Sequence, residues 1–216
     1  MNNKKITAII TSGGSSTRFG SNKLLEKIND MSVIETTISK FIDLVDVVII
    51  PAKDEVKNHI LNSPIFNDKI KFAPSGKTRQ QSVYNGLQEC DNTDIVLIHD
   101  GARPFIDKTT IQKTIDLTYE KKAVIVGVMA IDTIKQLKNG KIEKTLDRTE
   151  IFHAQTPQAF DFKLIKSLHE KYKNTPNFTD DSSLLEIENI EIYPLIGNIN
   201  NKKITTKDDL LQNYLS

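Results

Sequence analysis

The sequence predicts an α/β protein with a mostly parallel sheet and helices on both faces. Two observations predict it. Short runs rich in Val and Ile recur along the chain, and stretches with helical apolar spacing fall between them. Continuous β-branched runs fit strands covered on both faces, and strands alternating with helices imply parallel crossover units.

The elements follow in order. Residues 6–10 form the first apolar run and lead into a turn of small residues, 11–23. Ser32 caps a helix, with Glu35 completing a capping box, and Val33, Ile34, Thr37, Ile38, Phe41 and Ile42 share its apolar face. A second strand is expected at 46–50, a helix at 54–61 and a weaker strand at 69–72. A helix at 78–88 turns Val83 and Leu87 inward, and a strand follows at 94–98. The helix at 107–119 carries Ile111, Ile115 and Tyr119 on one stripe, before a strand at 123–128. Residues 131–160 break the alternation, and Asn139-Gly140 between short β-like stretches signals a hairpin. A projecting β-arm at about 131–155 is expected, and arms of this kind commonly pack on another subunit. Helices at 162–171 and 182–187, a strand at 190–193 and a helix at 207–215 complete a single domain over 1–216.

The chain has 216 residues, enough for one α/β domain with a substantial core. Lys and Arg total 29 against 28 Asp and Glu, so the net charge is +1 and no broad basic surface for nucleic acid is indicated. A single cysteine, Cys90, excludes an internal disulfide, and with four scattered histidines it offers no zinc spacing. Residues 1–5 hold no signal peptide and no apolar stretch approaches the ~20 residues of a membrane span, so a cytoplasmic protein is expected.

In such sheets ligands sit at the carboxyl ends of the strands. That rule gathers 12–23, 73–79 and 100–104 around one crevice. The first is Ser12-Gly13-Gly14-Ser15-Ser16, followed by Arg18 and Lys23. Small residues let backbone N–H groups approach an anion, and two cations lie just beyond. The spacing matches neither the P-loop nor the dinucleotide fingerprint, and a plain surface turn has the same composition. Thr78-Arg79-Gln80-Gln81-Ser82 opens a helix, where an ordinary cap is the alternative to contacts with a base or ribose. In His99-Asp100-Gly101-Ala102-Arg103-Pro104, acid and base at a strand end suit a metal or a phosphate, or a carboxylate paired with Arg103. Thr179-Asp180-Asp181 and Lys203 read alone as a cap and a solvated charge, and Asp147-Arg148 as a surface ion pair. His59 and His169 fall in helical patterns and are expected at the surface, and Cys90 is expected to pack. No Ser or Cys nucleophile has an evident partner.

Taken together, these segments resemble the 2-C-methyl-D-erythritol 4-phosphate cytidylyltransferases. Gly13-Gly14, Arg18, Lys23, Thr78 to Val83, 99–104, 132–135, Asp147-Arg148, 155–160, 178–181 and 203–206 come in the family's order and cover nearly the whole chain. The chain departs from the family pattern at Ser16 in the turn, in place of a glycine, at Leu24 after Lys23, in place of Gln, and at Thr78 before Arg79, where an acidic residue is frequent. The resemblance implies a Rossmann-like nucleotidyltransferase fold and a homodimer with interlocking arms. It implies CTP and a polyol phosphate as substrates, with Mg²⁺, and no nucleic acid or membrane partner. Arg18, Lys23, Arg148 and Lys203 would be catalytic. Ser12, Gly13, Gly14, Ser15, Ser16, Gly76, Arg79, Ser82 and Asp100 would hold CTP. Asp100, Arg103, Thr133, Arg148, Thr156, Thr179 and Lys203 would hold the acceptor, Thr133 and Arg148 from the partner's arm. Asp100 would touch the metal, which CTP phosphates mainly hold. The sister ribitol-5-phosphate cytidylyltransferases and a non-catalytic nucleotide-binding protein of the same fold are the alternatives. Ala102, where the sister family tends to have Val, leans toward methylerythritol phosphate.

Overall fold

The computed structural model describes residues 4–13, 22–175 and 178–211. In chain order it contains β1 (Ile6–Thr11), the short pair β2 (Lys27–Ile28) and β3 (Met31–Ser32), α1 (Val33–Phe41) and β4 (Val47–Ala52). There follow α2 (Asp54–Leu61), β5 (Ile70–Pro74), α3 (Arg79–Gln88), β6 (Ile95–Asp100), α4 (Lys108–Lys121) and β7 (Ala123–Met129). The last third holds β8 (Lys135–Lys138), β9 (Lys141–Thr145), a 3₁₀ turn (Arg148–Glu150), β10 (Phe152–Asp161), α5 (Phe162–Lys171), α6 (Ser183–Ile187), β11 (Tyr193–Ile196) and α7 (Lys207–Leu211).

Seven strands form one sheet in the order β11-β7-β10-β6-β1-β4-β5. All neighbours run parallel except β10, which lies antiparallel between β6 and β7. Alternate residues of each strand feed two cores. Ala8, Ile10, Val48, Ile50 and Leu97 meet α1, α2 and α4 on one face. Ile9, Ile49, Val96, Ile98 and Phe160 meet α3, α5 and α6 on the other. Both faces are covered, which is why β6 shows six buried residues in a row.

The expected strand at 190–193 begins instead at Tyr193, while Ile190 and Ile192 pack against the second core from the preceding loop. β10 has no counterpart in the expectations, because Gln155, Thr156 and Gln158 interrupt its apolar pattern. The hairpin is present: β8 and β9 pair antiparallel across Asn139 and Gly140, both at positive φ, 51° and 76°. It is exposed along its length. The expected arm runs too far, however. Residues 152–155 belong to β10 and the central sheet, since Phe152 pairs with Met129. Asp147 and Arg148 do not pair with each other. The Asp147 carboxylate accepts from Thr149 N–H at 2.9 Å, and Arg148 Nη1 donates to the Ile131 carbonyl at 2.6 Å. Among the described residues, no helix is long and apolar enough to cross a membrane.

Candidate active site

The site is built at the carboxyl end of β6. Asp100 is 7% exposed and its carboxylate faces three cations. Lys203 Nζ lies 2.9 Å from Oδ2, Arg103 Nε 3.4 Å from Oδ2, and Arg79 Nε 3.4 Å from Oδ1. Burial alone raises this carboxyl, but Arg79, Lys203 and Arg103 outweigh it and hold Asp100 well below the usual carboxylate range. Arg79 also pairs through Nη1 with Asp181 Oδ2 at 2.7 Å. Burial works against the guanidinium's charge, and the two carboxylates reverse that and raise its pKa.

A chain of neutral hydrogen bonds fixes the backbone around Asp100. The Asp100 N–H donates to Thr156 Oγ1 at 3.0 Å, and Thr156 Oγ1 lies 3.1 Å from His99 Nδ1. His99 Nε2 lies 3.1 Å from the Arg103 carbonyl, which only accepts, so Nε2 carries the proton and Nδ1 accepts from Thr156. Burial pushes the pKa of His99 down to about 4, which keeps the ring neutral and this arrangement intact at neutral pH. Asn201, fully buried, donates to Gln155 Oε1 at 3.0 Å and to the Thr156 carbonyl at 2.8 Å, while Arg103 Nη1 donates to the Asn201 carbonyl at 2.8 Å.

The C-terminal segment closes this side. Ile204 N–H donates to the Ala102 carbonyl at 2.8 Å, and Lys23 Nζ donates to the Ile204 carbonyl at 2.7 Å. Lys23 and Lys203 are thereby drawn to one rim. On the other side Ser82 Oγ accepts from Gly76 N–H at 3.0 Å and donates to the Thr78 carbonyl at 3.0 Å. A Cβ on Gly13 would meet Ser82 Oγ at 3.1 Å, so β1's exit and α3's start nearly touch. Ser12 Oγ donates to the Pro51 carbonyl at 2.6 Å. Thr78 caps α3 through Gln81 N–H at 3.1 Å.

The structure thus brings together Arg79, Asp100, Arg103, Thr156, Lys203 and Lys23, with Ser12, Gly13, Gly76 and Ser82 in an adjoining corner. Gly14, Ser15, Ser16 and Arg18 lie outside the described residues. Thr179 is exposed, just before the buried Asp181. Thr133 and Arg148 sit on the exposed arm, and no hydrogen bond or ion pair among the described residues joins them to this cluster.

Four residues in or just behind the site were given no individual site role from the sequence. Gln158 Oε1 accepts from Asp181 and Ser182 N–H at 3.0 and 3.2 Å, and its Nε2 donates to Asp180 at 2.7 Å. Asn201 holds the Thr156 backbone. Asp181 is an ion-pair member rather than a simple cap. His169, expected at the surface, is 1% exposed, with Nε2 3.1 Å from Asp181 Oδ1. The available signal was polar residues inside an apolar strand, as at Gln155 and Gln158. Cys90 is buried and its thiol is pushed up to about 12 by that burial, so it offers no thiolate. Among the described residues no group of three or more His, Cys, Asp or Glu is placed to hold a metal ion.

A doubly covered, mostly parallel sheet, with a buried carboxylate and several cations at its strand ends, defines an α/β protein equipped for a polyanionic ligand. The family model of 2-C-methyl-D-erythritol 4-phosphate cytidylyltransferase (IspD) matches residues 6–215, and the chain belongs to that family. A 2-C-methyl-D-erythritol 4-phosphate cytidylyltransferase from Clostridioides difficile is 42% identical, with 94% of this chain and 90% of the relative covered. One from Dictyoglomus thermophilum is 39% identical, covering 96% and 94%. The fold is similar to the crystal structure of 4-diphosphocytidyl-2C-methyl-D-erythritol synthase from Anaerococcus prevotii, with a TM-score of 0.87, 31% identity, and 98% and 96% of the two chains covered.

Proposed function

We propose that this chain transfers the cytidylyl group of CTP to 2-C-methyl-D-erythritol 4-phosphate, giving 4-diphosphocytidyl-2-C-methyl-D-erythritol and pyrophosphate. The observation that carries the reading is the convergence of Arg79, Arg103 and Lys203 on Asp100 at the strand ends, beside the glycine corner. An oxygen of the acceptor phosphate attacks the α-phosphorus of CTP. The bond from that phosphorus to the bridging oxygen breaks, and pyrophosphate leaves with the electron pair. The nucleophile is already an anion, so no general base is required. The difficulty is to bring two polyanions together, and fixed cations reduce that repulsion and align the groups.

The residues divide accordingly. The corner of Ser12, Gly13, Gly76 and Ser82 receives the cytidine side. Lys23 and Arg18 attend the triphosphate. Arg103, Thr156, Thr179 and Lys203 attend the acceptor phosphate, with Asp100 keeping the cations apart and oriented. Both Asp100 oxygens already face cations, so Mg²⁺ would be held mainly by the phosphates of CTP. When bound, Mg²⁺ supplies neutralisation of phosphate charge. We further read the arm as a dimer contact, since Ile131, Leu137 and Ile142 are 67%, 65% and 65% exposed. Thr133 and Arg148 then serve the partner's site. A cytoplasmic location suits a nucleotide co-substrate.

The test is pyrophosphate release with CTP and Mg²⁺, comparing methylerythritol phosphate with ribitol 5-phosphate. Release with the first acceptor alone is expected. Release with ribitol 5-phosphate alone, or with neither from folded protein, overturns the assignment.

A further inference from the structure

His169 lies behind the site, on α5, and the reaction described above makes no use of it. It is 1% exposed, and so is Asp181. The carboxylate can only accept, so at 3.1 Å the ring's Nε2–H donates to Asp181 Oδ1. The other ring nitrogen, Nδ1, is buried with no partner. An apolar side chain of similar size would fill this space without the cost of desolvating an imidazole. What it could not do is donate to Asp181.

Asp181 in turn has one oxygen toward His169 and the other toward Arg79, whose Nη1 is 2.7 Å away. Arg79 Nε reaches on to Asp100 at 3.4 Å. The order His169–Asp181–Arg79–Asp100 therefore runs from α5, through the loop before α6, to the first residue of α3 and the end of β6. The Asp181 backbone is held separately, by Gln158. The remaining freedom of Asp181 is rotation of its carboxylate, and the His169 bond removes it. Arg79 opens the helix that follows the Gly76 turn, so its position and the shape of the glycine corner are linked.

We propose that His169 is a positioning residue for the nucleotide side of the site: its Nε2–H fixes the Asp181 carboxylate, which fixes Arg79 between Asp181 and Asp100. The effect on turnover rests on the cytidylyltransferase reading; the hydrogen bond does not.

The experiment compares His169→Leu, His169→Gln, Asp181→Asn and the double variant His169→Leu/Asp181→Asn with the unaltered protein. Loss of one charge-assisted hydrogen bond predicts that His169→Leu raises KM for CTP about tenfold while kcat stays within about twofold. The Gln amide can also donate to Asp181, so His169→Gln recovers most of the affinity. The double variant loses no more than Asp181→Asn alone, because the histidine acts only through that carboxylate. Equal losses in Leu and Gln, or losses of Leu and Asp181→Asn that multiply, overturn the proposal. Nitrogen-15 NMR of the histidine rings reads the bond without turnover: Nε2 of His169 is expected protonated, and an unprotonated Nε2 overturns the proposal even where His169→Leu fails to fold. No pyrophosphate release from the unaltered protein, with Nε2 protonated, sinks the functional reading instead.

Discussion

Gly76 shows how tightly single residues constrain this site. A Cβ there would lie 2.6 Å from both Gln81 Cβ and Ser82 N. Neither is the free end of a flexible side chain, so Gly76→Ala must displace the turn or the start of α3. The expected outcome is a rise of about tenfold or more in the dissociation constant for CTP, measured by calorimetry, with the melting temperature little changed. Glu35 makes a different residue-scale prediction. Burial raises its carboxyl, but hydrogen bonds from Ser32 and Ser63 outweigh that and leave it at about 2. The folded value is below the unfolded one, so the stability it contributes is present above about pH 4.5 and lost as pH falls toward 2. Glu35→Gln should therefore lower stability by about 1–2 kcal/mol at pH 7 and converge with the unaltered protein near pH 2, followed by denaturant titration at both values. The Ser32–Glu35 capping box was legible in the sequence because it is local. The Arg79–Asp181 pair was not, because it joins residues far apart in the chain.

At the scale of elements, the hairpin of β8 and β9 was legible from Asn139-Gly140, since that pair tolerates the positive φ that a two-residue turn needs. Where the arm ends was not legible, and the reason lies in β10. Its Gln155, Thr156 and Gln158 are buried yet polar, at most 9% exposed, because each serves the site rather than the core. Periodicity reads such residues as surface. The hairpin has its own test. Replacing 135–145 with a short turn should leave the central sheet folded, by circular dichroism, but should abolish dimers in sedimentation and most turnover. A mixed dimer of Lys23→Ala and Arg148→Ala subunits should regain activity that neither parent dimer shows. Its continued inactivity would count against a site shared between subunits.

For the whole molecule, the sheet order places both chain halves at one crevice, and the C-terminal segment returns to it across the molecule. Ile204 is fully buried in the first core, while its backbone links Ala102 and Lys23 and its neighbour Lys203 meets Asp100. Stability and activity are therefore coupled at Ile204. Ile204→Ala and Ile60→Ala should each cost about 2–5 kcal/mol in denaturant titrations, both side chains being fully buried. Only Ile204→Ala should also lower kcat/KM, by about tenfold, because only it loosens the two lysines. Equal activity in both variants would separate the cores from the site. The parallel strands were legible because their apolar runs answer to this common core. The return of 201–204 was not, because a short loop segment carries no period.

The antiparallel strand β10 also sets an order for assembly during synthesis. β6 and β7 never touch directly, since β10 lies between them and bonds to each. A nascent chain released only as far as residue 150 carries β6, wholly apolar at 95–98, with one unpaired edge. Such an edge invites the matching strand of another chain. A fragment ending before Phe152 should therefore run as aggregate on gel filtration, whereas one extending past Asp161 should contain soluble, non-aggregated protein. The ribosome must deliver residues 152–161 before the strands made ahead of them have somewhere safe to go.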